Sequence, residues 1–156
     1  MDSRNNIIFL DFAGVIRCDP DNTGAFSFHY QRMHQLVFAA QRCQASIVVT
    51  SDWRKTYSRE QIVKEISHPP LTDRFPDDIW CVPGNVEKAP AVMAWLTMAV
   101  AAGRVGSDCR FVIVDDQPQL FPGWETPLVI CNNRKGFQLP QVGEVVLKLT
   151  GRELEI

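Results

Sequence analysis

The chain has 156 residues, of which 46% are hydrophobic and 22% are charged, and its formal net charge is −2. This length predicts one domain, residues 1–156, large enough to bury a core. The composition is that of a soluble globular protein, and the charge gives no electrostatic case for strong non-specific binding of nucleic acid. The N-terminus is polar and no apolar run can span a bilayer, so we expect a cytoplasmic protein with no membrane partner.

The cysteines and histidines argue against a zinc site and a disulfide framework. The chain has five cysteines, an odd number, and no two of them have C-x-x-C spacing. The three histidines are scattered and form no metal-binding pattern. We therefore predict reduced, mostly buried cysteines.

Apolar strands alternate with helices along the chain. The predicted strands are 7–10, 45–50, 79–82, 110–114 and 128–131. The predicted helices are 28–43, 58–66, 88–102 and 142–149. The strands are continuously apolar rather than alternating, which is typical of a parallel sheet covered on both faces. The sequence predicts a three-layer α/β fold with a Rossmann-like parallel sheet.

Polar side chains follow three of these strands. Asp11 follows the first strand, Ser51 the second, and Asp115 and Asp116 the fourth, while Lys88 begins a helix. The carboxyl ends of parallel strands lie at one edge of a sheet, so we expect these side chains to converge. Clustered carboxylates repel one another unless a cation lies among them, and their hard oxygens suit Mg²⁺. A hydroxyl and an ammonium beside that ion suit a phosphate group.

Each of these residues also has a simpler explanation. Ser51 could cap the next segment, Lys88 could be a solvated surface lysine, and the two aspartates could begin a turn. Trp53 and Trp95 are interpreted as packing residues. We favour the functional interpretation because the whole set stands at strand ends in one order.

That order resembles the four motifs of the haloacid dehalogenase-like (HAD) hydrolase superfamily. The motif residues are Asp11 in L-D-F-A-G-V, Ser51 after I-V-V-T, Lys88, and the aspartates of V-I-V-D-D. More narrowly, F-L-D-F-A-G-V-I with V-V-T-S-D-W-R resembles the small HAD domains grouped with Swiss Army Knife RNA repair proteins. A receiver domain also uses carboxylates, a hydroxyl and a lysine, but it has its acidic pair on the first strand and its lysine on the last.

The resemblance implies a magnesium-dependent phosphatase. Asp11 would be the nucleophile and form an aspartyl-phosphate, while Ser51 and Lys88 would bind the phosphoryl oxygens. Asp11, Asp115, Asp116 and the backbone carbonyl of residue 13 would hold Mg²⁺. Only about 35 residues separate the first two strands, which leaves little room for a large cap domain.

Residue 13 departs from the family pattern, because Ala13 stands where the phosphatases have a second aspartate. That aspartate is the general acid–base, which contributes about 10²–10⁴-fold, so we expect this chain to be inactive or severely impaired. We favour an engineered substitution. The alternatives are a natural pseudo-enzyme that binds a phosphorylated ligand or regulatory partner, and phosphonatase-like chemistry, for which the cap is missing.

A site without a large cap should be open. It would suit a bulky phosphorylated substrate such as a nucleic-acid end, a nucleotide or a phosphoprotein. The segments 17–29 and 67–78 are the ones that could still fold over it. Arg54 is the residue that we expect to contact the rest of the substrate, and its simpler role is to pack on Trp53 at the surface.

Overall fold

The computed structural model describes residues 6–17, 30–66, 73–75 and 80–155. Its strands are β1 (Asn6–Leu10), β2 (Ser46–Val49), β3 (Arg110–Asp115) and β4 (Leu128–Ile130). Its helices are α1 (Tyr30–Cys43), α2 (Arg59–Ile66), α3 (Lys88–Ala101) and α4 (Leu139–Thr150). Two short 3₁₀ helices span Asp52–Lys55 and Pro118–Leu120.

The four strands form one parallel sheet in the order β2-β1-β3-β4. The chain leaves β1 for β2 on one side and later returns to β3 on the other side. The sheet therefore has a topological switch point between β1 and β3. In open α/β sheets, ligands bind at the carboxyl ends of the strands beside such a point.

Alternating residues of β1 enter two separate cores. Ile8 and Leu10 pack with residues of α1 and α4, whereas Ile7 and Phe9 pack with residues of α3. Helices therefore cover both faces of the sheet, and the predicted three-layer α/β fold is confirmed. Trp95 of α3 is 1% exposed and meets Phe9 edge to face, with ring centroids 5.4 Å apart, so its predicted packing role is also confirmed.

The helix boundaries follow local capping chemistry. The Ser58 N–H donates to Gln61 Oε1 at 2.8 Å and the Gln61 N–H donates to Ser58 Oγ at 3.2 Å, which forms a capping box at the start of α2. Helix α4 begins earlier than predicted because Gln138 and Gln141 form another such box. It ends at Gly151, whose φ of 73° is left-handed.

The strand predicted over 79–82 is reduced to one residue pair, and residue 79 itself lies outside the described residues. Cys81 pairs in parallel with Val49, through hydrogen bonds of 2.8 Å from the Val49 N–H to the Trp80 carbonyl and 3.1 Å from the Val82 N–H to the Val49 carbonyl. Pro83 follows and has no N–H to extend the pairing. This segment nevertheless borders β2 near the functional edge.

Several absences hold for the described part of the chain. None of its helices is long and apolar enough to cross a lipid bilayer. Its cysteines, Cys43, Cys81, Cys109 and Cys131, are all free, as predicted. Within the same residues there is no large cap domain.

Candidate metal and phosphate site

Three carboxylates meet at the switch point of the sheet. Asp11 follows β1 and Asp115 ends β3, and the Asp11 N–H donates to the Val114 carbonyl at 3.1 Å, so the two strands deliver their aspartates side by side. Asp116 is the third member, and one oxygen from each of the three lies within 4.8 Å of the others. Asp11 is 5% exposed and Asp115 is fully buried.

Lys88 joins two of these carboxylates from the first turn of α3. Its Nζ lies 2.9 Å from Asp115 Oδ2 and 3.3 Å from Asp11 Oδ1. The Asp115 Oδ1 accepts a hydrogen bond of 2.9 Å from the Gln117 N–H, so both oxygens of Asp115 are engaged. The lysine side chain is only 11% exposed, which excludes the solvated surface role. The structure thus brings four of the predicted site residues together.

The cluster carries more negative charge than one lysine can balance. Burial, followed by the charge of Asp115, raises the pKa of Asp11 to about 7, although Lys88 opposes this. Burial and a hydrogen bond with Asp115 raise the pKa of Asp116. Burial lowers the pKa of Lys88, but attraction to Asp11 and Asp115 outweighs it and the pKa is raised overall. A buried, under-compensated set of oxygen ligands is chemically suited to a hard divalent cation.

The turn after β1 brings the chain close to Asp116. The Phe12 carbonyl accepts three backbone hydrogen bonds, from the N–H groups of Val15, Ile16 and Arg17. Gly14 has a φ of +79°, and a Cβ at this position would lie 2.2 Å from Asp116 Oδ2. Both the backbone conformation and the contact therefore require glycine. The sequence feature that indicates this turn is the glycine that directly follows L-D-F-A.

We expect Gly14→Ala to disrupt the cluster. Its left-handed backbone alone should cost about 1–2 kcal/mol of folding free energy, and the clash with Asp116 adds to that. The variant should also lose any rise in Tm on addition of Mg²⁺. Gly103→Ala is the matched control, since Gly103 has a φ of +71° but no atom within 4 Å of the added Cβ. Equal Tm losses and equal magnesium responses in the two variants would show that the Asp116 contact is unimportant.

Ser51 and Thr50 lie at the end of β2 beside Asp11. Ser51 is 2% exposed, and its Oγ accepts a hydrogen bond of 3.3 Å from the Trp53 N–H. It therefore caps the 3₁₀ helix Asp52–Lys55, which is the simpler role considered for it from the sequence. This bond leaves the Ser51 O–H available as a donor. Sequence reasoning had no signal for Thr50. It is fully buried, and within the described residues its hydroxyl has no hydrogen-bond partner.

The strand register places Thr50 next to Asp11. Leu10 pairs with Val49, and the Thr50 N–H donates to the Leu10 carbonyl at 2.9 Å. Val48 and Phe9 lie on the α3 side of the sheet, so Thr50 and Asp11, each two residues further on, face the same side. An unsatisfied hydroxyl therefore lies beside Asp11.

We expect Thr50→Val to stabilise the metal-free protein. Replacing a buried hydroxyl that lacks a partner by a methyl group of the same shape removes a desolvation cost, so Tm should rise by about 2–4 °C. Thr50→Ser keeps the hydroxyl and should not gain stability. Differential scanning calorimetry in EDTA compares them, and a lower Tm for the valine variant would mean that the hydroxyl is bonded in solution.

Residues 7–142 match the model of a protein family described as the HAD domain in Swiss Army Knife RNA repair proteins. The chain belongs to this family. At the family level this supports a phosphatase-type hydrolase, and HAD domains generally use Mg²⁺, which the aspartate cluster could hold. Among curated proteins and among solved structures, no significant match to this HAD domain is found.

In this HAD domain, Arg54 has a different role from the substrate contact that the sequence predicted. The Arg54 side chain is 1% exposed, and its guanidinium donates to the carbonyls of Thr50, Ser51, Val82 and Pro83 at 2.7–3.2 Å. It therefore ties the end of β2 to the neighbouring segment and has almost no surface to offer a substrate. The prediction that Arg54 contacts the substrate is therefore wrong, and Arg54 has a structural role.

Arg17 packs on Trp53. Its guanidinium carbon lies 5.1 Å from the centre of the indole ring, while Phe12 and Tyr57 meet the same ring edge to face. The predicted packing role of Trp53 is thus confirmed. The candidate covering segments 17–29 and 67–78 lie mostly outside the described residues of the HAD domain.

Proposed function

We propose that this HAD domain has the site of a magnesium-dependent phosphomonoester phosphatase that works through an aspartyl-phosphate on Asp11, and that Ala13 leaves it severely impaired. The observation that carries the proposal is the contact of one buried lysine with two strand-end aspartates, beside a third. The carboxylates and the ammonium that would serve as nucleophile, metal ligands and counter-charge thus lie within one small volume. Buried groups with strongly perturbed pKa values are typical of functional sites.

The residues present fit a magnesium ion. Asp11 and Asp116 are the carboxylates with oxygens to spare, since both oxygens of Asp115 are already bonded to Lys88 and to the Gln117 N–H. Among the described residues, no backbone N–H donates to the Ala13 carbonyl, which leaves it free to act as a further ligand. When bound, the ion would neutralise charge on the nucleophile and on the phosphoryl oxygens.

In the first step an oxygen of Asp11 attacks phosphorus while the bond from phosphorus to the leaving alcohol breaks. Lys88 binds a phosphoryl oxygen as the negative charge shifts from Asp11 to the phosphoryl group. Ser51 donates its hydroxyl to a second phosphoryl oxygen, and the unsatisfied hydroxyl of Thr50 is placed to support either partner. In the second step water attacks the same phosphorus, which releases inorganic phosphate and restores the Asp11 carboxylate.

Ala13 removes proton transfer from both steps. Its methyl group cannot protonate a departing alkoxide, and it cannot take a proton from the attacking water. Substrates with poor leaving groups should therefore stall in the first step. Substrates with good leaving groups need no protonation, and they should stall afterwards as the aspartyl-phosphate.

We propose a nucleic-acid end or a nucleotide as the source of the phosphate. The family is described as the HAD domain in Swiss Army Knife RNA repair proteins, and the described residues include no large cap to restrict access. The second candidate function is a pseudo-enzyme that binds such a phosphate without turnover. Ala13 favours it, because the phosphate-binding residues Ser51 and Lys88 are in place while the acid–base group is missing.

The test is magnesium-dependent phosphate release from an aryl phosphate, followed by a panel of nucleotides and of oligonucleotides with 3′ or 5′ phosphates. The proteins compared are this chain and Ala13→Asp, each in Mg²⁺ and in EDTA. Turnover only by the aspartate variant and only in Mg²⁺ supports the phosphatase proposal. Tight magnesium-dependent binding of the same phosphates by both proteins, with turnover by neither, favours the pseudo-enzyme.

A further inference from the structure

A short basic loop follows β4 at the functional edge of the sheet. This basic loop is Asn132 to Gly136, with the sequence N-N-R-K-G. At its start, the Cys131 N–H donates to the Asp115 carbonyl at 3.0 Å, and just after its end, the Phe137 N–H donates to the Val15 carbonyl at 2.7 Å. The basic loop thus connects the strand that ends in the aspartate pair with the turn that contains Gly14.

Hydrogen bonds from Arg32 and to Asn132 hold the backbone of the basic loop in one conformation. Arg32 of α1 is 7% exposed, and its Nε and one terminal nitrogen donate to the carbonyls of Lys135 and Arg134 at 2.8 and 3.4 Å. Asn132 Oδ1 accepts hydrogen bonds from the Arg134 N–H at 2.9 Å and from the Lys135 N–H at 3.2 Å. The backbone is therefore fixed by these partners while both side chains are exposed. Such a preorganised arrangement loses little entropy when it binds a ligand.

The charge of the basic loop contrasts with its surroundings. The chain as a whole has a net charge of −2, yet Arg134 and Lys135 are adjacent cations in a segment, 131–137, that contains no carboxylate. Lys88 reaches the acidic cluster from α3, whereas the basic loop packs through Phe137 in the core formed with α1 and α4. The site therefore has one cation for the reacting phosphate on one side and two further cations on the other.

We propose that the basic loop binds the backbone phosphate of a nucleic-acid strand whose terminal phosphate lies at Asp11. The inference rests on the proposed phosphatase function. A lone phosphate is satisfied by Lys88, Ser51 and the metal, so a second cationic group on the opposite side is useful only to a substrate with another phosphate nearby. Arg134 matches phosphate oxygens with two parallel N–H groups, and Lys135 adds a point charge.

The experiment measures binding of a fluorescent single-stranded RNA decamer with a terminal phosphate by anisotropy, in Mg²⁺ and over a range of salt concentrations. The Arg134→Ala/Lys135→Ala variant should bind at least tenfold more weakly, with a salt slope reduced by about 0.7, because the backbone phosphate is no longer neutralised by the protein. The matched control is Arg42→Ala/Arg152→Ala, which removes two exposed arginines at the opposite edge of the sheet and should bind like the unchanged chain.

Equal weakening by both double variants would overturn the inference, because the effect would then reflect net charge alone. Magnesium-dependent release of phosphate from an aryl phosphate by Ala13→Asp is measured in parallel and tests the underlying function separately. If that release occurs while the basic loop variant keeps full RNA affinity, the phosphatase proposal stands and the inference fails. If no release occurs and the basic loop variant keeps full RNA affinity, both proposals fail. If no release occurs while that variant alone loses affinity, the phosphatase proposal fails and the inference holds for the binding function without turnover.

Discussion

Ala13→Asp should raise the rate of magnesium-dependent phosphate release by about 10²–10⁴-fold. Residue 13 lies in the turn that follows Asp11, and it is exposed, so a longer side chain fits there without displacing the core. The new carboxylic acid would supply the proton that a departing alkoxide needs and would then take a proton from the attacking water. The gain should be largest for alkyl phosphates, whose leaving groups depend most on protonation.

Ala13→Asn is the matched control for this gain. Asparagine has nearly the shape of aspartate but cannot exchange a proton at neutral pH. It should therefore leave the rate close to that of the alanine chain. Equal rates for the asparagine and aspartate variants would show that acid–base chemistry at residue 13 is not what limits this protein.

Asp11→Asn should abolish turnover in the Ala13→Asp background and yet stabilise the metal-free fold. Burial and Asp115 raise the pKa of Asp11 to about 7, above its ordinary value of 3.8. The folded protein therefore holds this proton more tightly than the unfolded chain does. Stability from this group is fully present below the ordinary pKa and is lost as the pH rises through about 7.

The Tm difference between Asp11→Asn and the unchanged chain in EDTA should therefore grow from pH 5 to pH 8, with the asparagine variant the more stable at pH 8. Magnesium should reverse the order at pH 8, since it binds the ionised carboxylate of the unchanged chain and stabilises the folded state. Met98→Ala, at an exposed position toward the end of α3 opposite Lys88, controls for unrelated pH effects. A difference that is constant with pH would mean that Asp11 titrates normally.

The fold could be predicted because each strand is a continuous run of apolar residues in the sequence. A buried parallel strand needs apolar side chains on both faces, as in the run from Ile7 to Leu10, and the polar residue that ends the run marks the functional edge. Since parallel strands share that edge, the order of Asp11, Lys88 and Asp115 was enough to predict that they converge. The structure confirms this with contacts of 2.9 and 3.3 Å.

The remaining features depend on long-range contacts that no local pattern encodes. The charge of Arg54 and its position just after β2 suggested a substrate-binding residue. Its guanidinium instead donates to four backbone carbonyls, two of them from residues 28 and 29 positions away. Arg32 supports a carbonyl 103 positions away. Whether the Thr50 hydroxyl finds a partner depends on the packing of its neighbours, and the sequence gives no signal for that.

The most direct test is to look for phosphate on Asp11. The unchanged chain is mixed with Mg²⁺ and an aryl phosphate whose phenolate leaves without protonation, quenched in acid and analysed by peptide mass spectrometry. We predict a burst of about one phenolate per protein and a phosphoryl group on the peptide that contains Asp11, because Ala13 cannot activate water to remove it. Neither should appear with Asp11→Asn or in EDTA. The absence of burst and adduct, in a chain that still binds Mg²⁺, would contradict the assignment of Asp11 as the nucleophile.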